Sequence, residues 1–134
     1  MNLLPGINST ASALNAEKVR MNIVAQNIAN AQTTRDANGQ VYRRKIVSFE
    51  SALDSATGQT SVRVGGVTND TSPTHWLYNP GHPDANEDGM VEMPNVEVSR
   101  EMVDMITASR SYEANLQMIR TARQMAKQVL SIGS

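Results

Sequence analysis

Apolar residues recur every seven positions through Ile7, Leu14, Met21 and Ile28, and a second row runs beside them: Leu4, Ala11, Lys18 and Ala25. Two such rows wind along one side of an α-helix as a heptad seam. Lys18 is its polar intruder, and Ile23 and Val24 widen the stripe. Ser9, Thr10 and Ser12 carry hydroxyls suited to an N-cap, so the helix is expected to begin there or slightly earlier. Asn30 and Thr33-Thr34, before the turn-rich Asp36-Ala37-Asn38-Gly39, mark its end.

The other end of the chain repeats the theme. Val98, Met105, Tyr112, Ile119 and Ala126 form one row, with Met102, Ser109, Leu116, Arg123 and Leu130 as its partner. Pro94 and Gly133 bracket a helix of about 34 residues, roughly 50 Å long. A globule of this chain length has a radius of gyration near ~14 Å, so such a helix overhangs it. Its stripe needs a second helix, and the N-terminal one is the intramolecular candidate.

Between residues 34 and 96 the period changes. Asn38-Gly39 signals a type I′ turn. Strands are expected at Gln40–Glu50, at Ser61–Thr68 with a bulge at Gly65-Gly66, at Trp76-Leu77-Tyr78 and at Met90–Met93. Pro73, Pro80, Pro83 and Pro94 confine these strands to edges and turns, and Ser51–Thr60 reads as a loop. The expected fold is mainly α with a small β module. Long terminal helices pair as an antiparallel coiled coil around a hairpin-rich middle. The division is 1–33, 34–96 and 97–134.

Composition narrows the chemistry. Twelve lysines and arginines meet 13 aspartates and glutamates, a net charge of −1. That leaves no basis for gripping nucleic acid. There are no cysteines, so disulfides and thiolate sites are excluded. Aromatics are only 4% of the chain, so its apolar mass is aliphatic and methionine-rich, as a helix seam requires. No run approaches the roughly 20 apolar residues of a membrane span. The first residues lack the basic and apolar regions of a cleavable signal.

Asp84-Ala85-Asn86-Glu87-Asp88-Gly89 imitates the start of a calcium loop, but its twelfth position is Asn95, which cannot bind in bidentate fashion. An Asx-stabilised turn is the expected reading, with a weak calcium site as a variant. His82, within Asn79-Pro80-Gly81-His82-Pro83-Asp84, reads as a turn residue bonded to backbone. No third zinc ligand accompanies it, and no nucleophile motif or phosphate loop occurs. Neither catalysis, cofactor, metal nor small-molecule substrate is expected. Arg43-Arg44-Lys45 is either a charged edge strand that discourages wrong pairing or a partner for the Glu87-Asp88 turn of another copy. Met102, Met105, Met118 and Met125 suit either ordinary seam packing or contact with non-identical neighbours. Asn27 and Asn30 either satisfy polar groups where helices converge or form a solvated cap.

The segments Ser12-Ala13-Leu14-Asn15-Ala16 and Arg20–Ala31, with Glu101–Ile106 and Ser109–Leu116, resemble the terminal motifs of bacterial flagellar rod, hook and related axial proteins. Tyr42-Arg43-Arg44-Lys45, Pro80–Ala85 and Pro94-Asn95-Val96 narrow the resemblance to proximal rod members, and the short middle agrees. His75-Trp76 beside Ser72-Pro73 departs from the family pattern. The resemblance implies a structural subunit of a helical rod that crosses the periplasm and transmits torque. Its implied partners are copies of itself, other proximal and distal rod proteins, the inner-membrane ring and the rod adaptor. Export by the flagellar type III apparatus without a cleaved signal is implied too. The assembly residues this suggests are Leu14, Met21, Asn27, Ile28, Asn30, Arg43, Arg44, Met102, Met105, Tyr112, Leu116 and Ile119. A soluble helical adaptor or secretion chaperone is the alternative from another class.

Overall fold

Helix α1 runs Pro5–Ala29. It opens on a proline, whose missing N–H and fixed φ suit a first helical position. The computed structural model describes residues 5–133, so Leu4 of the predicted seam lies outside the described residues. The expected caps serve other ends. Thr10 Oγ1 donates back to the Gly6 carbonyl at 2.8 Å, Ser9 Oγ donates to the Thr60 carbonyl, and Ser12 Oγ accepts the Val62 amide at 2.9 Å. After α1 come β1 (Lys45–Leu53), β2 (Thr60–Asn69), β3 (His75–Tyr78), β4 (Met90–Met93) and α2 (Val98–Ile132). Among the described residues these make two long helices and two small two-stranded sheets, β1-β2 and β3-β4.

The chain packs as two compact units. Among the described residues, one comprises 5–21, Val47–Gly66 and 106–133, and the other Asn22–Ile46 and Val67–Met105. Buried side chains concentrate in the second: Val24, Asn27, Ala31, Val91, Met93, Pro94, Val96 and Glu101. The first has Ala16, Glu17, Ala108 and Ile119. In the first unit the loop expected at 51–60 shrinks to 54–59. Asp54 N donates to Gln59 O at 2.8 Å, and Gly58 closes the loop at φ +71°. β2 runs unbroken through Gly65, over which Glu50 lies so closely that a Cβ would sit 2.5 Å from its Cγ.

In the second unit β3 and β4 are antiparallel, pairing His75 with Met93 and Tyr78 with Met90. Val91 and Met93 turn inward from alternate positions. The turn before β4 uses Gly89 at φ +76°, where a Cβ would meet Tyr78 Cε2 at 3.0 Å and Pro80 Cβ at 3.1 Å. Gly89→Ala is expected to destabilise this unit by roughly 1–2 kcal/mol, read from the urea midpoint. The Asn38-Gly39 signal resolves differently from the predicted type I′ turn. Gly39 has φ +76°, but no described non-glycine residue has positive φ. Gly39 N donates to Asp36 O at 3.0 Å, so the turn spans Asp36–Gly39 and the glycine follows its central pair.

Helix burial corrects the predicted seams. On α2 the row Met105, Tyr112, Ile119, Ala126 is buried or half-buried as expected. Its companion is Glu101, Ala108, Asn115 and Ala122, one residue back from the predicted Met102, Ser109, Leu116, Arg123 and Leu130. One residue is about 100° of helix. The sequence places small and polar side chains on the inner row, so counting large apolar residues selected a neighbouring line. On α1 the deepest positions are Ala16, Glu17, Val24 and Asn27, while Leu14, Met21 and Ile28 are half-buried and Lys18 and Ala25 exposed.

Candidate assembly site

The second unit is knotted by polar side chains drawn from every part of it. Asn27, near the end of α1 and 1% exposed, uses all four of its hydrogen-bonding positions. Its Oδ1 accepts the Tyr42 hydroxyl at 2.8 Å and the Lys45 amide at 2.9 Å. Its Nδ2 donates to the Lys45 carbonyl at 2.9 Å and to Glu101 Oε2 at 3.2 Å. Arg44 takes three carboxylates on three nitrogens: Nε to Glu101, Nη1 to Asp70 at 3.3 Å and Nη2 to Asp104 at 3.3 Å. The Arg44 backbone N–H donates to Asn95 Oδ1 at 2.7 Å, and Asn95 Nδ2 donates to the carbonyls of Asp70 and Ser72.

The electrostatics follow from this packing. Burial pushes the Arg44 guanidinium down, but the hydrogen bond and charge of Glu101, then those of Asp70, outweigh it and hold it above its ordinary value. Burial and the Glu101 charge push the Tyr42 phenol up, keeping it a donor to Asn27. Asp70 lies below the usual carboxylate range, held there first by the Ser72 hydroxyl and amide and then by Arg44. A lowered folded pKa gives stability that is present at neutral pH and lost as pH falls through that value. The contribution of Asp70 to the second unit's urea midpoint is therefore expected to fall away as pH drops from the usual carboxylate range toward the lowered folded value. Ser72→Ala, which removes the hydroxyl that lowers Asp70 most, should make that acid-dependent loss smaller.

Arg44 thus does not lie on a strand: β1 begins at Lys45. Its charge is matched within the chain by Asp70, Glu101 and Asp104. Arg43 is exposed and donates to the Ser72 carbonyl at 3.4 Å. Asn30 closes α1, its Nδ2 on the Gln26 carbonyl at 2.8 Å. His82 Nδ1 accepts the Asp84 amide at 3.0 Å. Asp84 is engaged by Thr34 and, at 3.7 Å, by Arg35. Asn86 Oδ1 accepts the amides of Asp88 and Met90, each at 2.9 Å, an Asx turn that uses an oxygen calcium would need. Among the described residues no group of three or more acidic, histidine or cysteine side chains is placed to hold a metal.

In the first unit α2 leaves an apolar face uncovered. Met118, Met125, Val129 and Leu130 are each about 60% exposed, and Met118 and Met125 line a shallow apolar groove with Ala114 and Ala122. Met102 is exposed as well, Leu116 half-buried and Ile119 buried. Sequence reasoning gave Asp70, Asn95, Glu101 and Asp104 no place around Arg44, although all but Asp70 lie in the motifs that carry the family resemblance.

Comparison with known proteins agrees along the whole chain. Residues 7–35 match the flagella basal body rod protein family, and residues 87–132 match the flagellar basal body rod FlgEFG protein C-terminal family. The chain is 39% identical over 133 residues to a protein of Yersinia enterocolitica named flagellar basal-body rod protein FlgC, with 99% of each chain covered. Proteins of the same name from Salmonella typhimurium and Bacillus subtilis are 41% and 40% identical, again with 99% of each chain covered.

Proposed function

The chain belongs to the FlgC family of flagellar basal-body rod proteins, and from that premise we propose how it builds its part of the rod. It is a structural subunit of the basal-body rod and not an enzyme, and it works by assembling with other rod proteins. In the proposal it belongs to the proximal rod. Its terminal helices (1–33 and 97–134) pair as an antiparallel coiled coil, and 34–96 forms an outer module. Repeated heterologous contacts then build a helical shaft that crosses the periplasm and carries motor torque. Copies of the chain, the other rod proteins, the inner-membrane ring and the rod adaptor are its neighbours. The type III apparatus exports it without a cleaved signal. Leu14, Met21, Ile28, Met105, Tyr112 and Ile119 are its inner packing residues.

The observation that carries this reading is the exposed Met118–Met125–Val129 face. An isolated domain gains nothing from it, since apolar area is worth about 25 cal/mol per Å² only when covered. Glu17 in the same unit points the same way. Its Oε2 is buried without a hydrogen bond, and Arg20 stands 3.8 Å off. The free chain is therefore expected to show amide-exchange protection in the second unit and weak protection in 5–21 and 106–133. Incorporation into basal bodies should protect these segments. Equal protection of both units in dilute free chain would defeat the reading.

A further inference from the structure

The only tryptophan of the chain sits half in solvent on β3, with 52% of its surface exposed. Tryptophan is ordinarily among the more buried residues, and an exposed ring in a concave setting calls for an occupant. Trp76 lines a groove of about 500 Å³ in the second unit, within the ~300–1,000 Å³ range of small-molecule sites. Glu92, its cross-strand partner, lies beside it on the same sheet face. Arg35, Gln40, Arg43 and Asp84 line the groove as well.

The lining is polar but balanced, with Arg35 and Arg43 against Asp84 and Glu92. Several of its groups are already positioned. Arg35 donates to the Gly39 carbonyl at 2.8 Å and lies 3.7 Å from Asp84, while Thr74 donates to Glu92 at 2.7 Å. A balanced wall favours neither an anion nor a cation, and its polarity disfavours a purely apolar ligand. It does match a molecule whose adjacent groups donate and accept at once and whose ring has one apolar face. Hydroxyls on a pyranose do the first and its C–H face the second.

We propose that this groove binds an oligosaccharide, one sugar ring lying on the Trp76 indole and its hydroxyls bridging Glu92 and Arg43. A groove of about 500 Å³ is more than one pyranose ring fills, so a chain fits it better than a monosaccharide. The site is separate from the apolar face of α2 and does not depend on the assembly scheme.

The single tryptophan makes the test direct. Full-length chain titrated with N-acetylchitotetraose should give a saturable blue shift of tryptophan emission, with a calorimetric isotherm of the same midpoint. Glu92→Gln and Arg43→Ala should each weaken binding by about fivefold, the loss of one hydrogen bond. Trp76→Ala should abolish the heat, with far-UV circular dichroism unchanged in all three variants. The proposal is overturned if emission stays fixed up to about 10 mM sugar, a concentration beyond weak millimolar binding. It is overturned equally if the variants bind as the natural chain does, or if Trp76 is shielded from acrylamide in assembled basal bodies by a neighbouring subunit.

Discussion

Arg44→Met is expected to unfold the second unit under conditions where the natural chain is stable. The substitution keeps most of the stem and removes the one cation among Asp70, Glu101 and Asp104. Glu101 is fully buried, and without Arg44 its charge would be met by the Asn27 amide alone. Breaking a buried pair by deleting one partner costs about 3–5 kcal/mol, a large part of the 5–15 kcal/mol typical of a whole domain. Arg44→Lys should recover only part of this, because one ammonium cannot place three nitrogens on three separate carboxylates. Replacing both buried partners, Arg44→Met with Glu101→Leu, should be markedly more stable than Arg44→Met alone, since no orphaned charge remains. Urea unfolding decides the matter. A loss under about 1 kcal/mol for Arg44→Met would show that the node is incidental to the fold.

The second large effect is expected to leave the free chain untouched. Met125→Asp changes a side chain already 59% exposed, so circular dichroism and amide exchange of the monomer should match the natural protein. In the rod, the same position must be covered by a neighbour if the proposed packing holds. The substitution then forfeits about 1.5–3 kcal/mol of apolar burial and adds an unpaired carboxylate at the contact. Together these amount to at least two decades in the association constant at each contact, at about 1.4 kcal/mol per decade. Basal bodies should lack the variant subunit and cells should lose motility, whereas Met125→Leu should swim. Normal swimming with Met125→Asp would remove the α2 face from the assembly.

These two experiments separate parts of the molecule that sequence analysis renders unequally. The helices were legible because long heptad patterns are local. Pro94 and Gly133 bracket α2, which spans Val98–Ile132, and β4 occupies the predicted Met90–Met93. The inner row of α2 was misplaced by one residue because Glu101, Ala108, Asn115 and Ala122 do not look like a core. Glycine signals located turns but not always their type. Asn38-Gly39 suggested two left-handed residues, whereas an Asp36 carbonyl bond at 3.0 Å and the Asp36 side chain build the turn around one.

From the order of residues alone came the helix-bracketed plan, the small β middle, the absence of catalytic constellations and the flagellar axial resemblance. Each rests on neighbours within a few turns of chain, or on composition. Tertiary structure alone decided that Arg44 faces inward, that Asn27 meets Glu101 across 74 residues, and that Trp76 stands over a groove. Those pairings depend on how distant segments close on one another. A hydrogen bond between residues far apart leaves no period in the sequence to read.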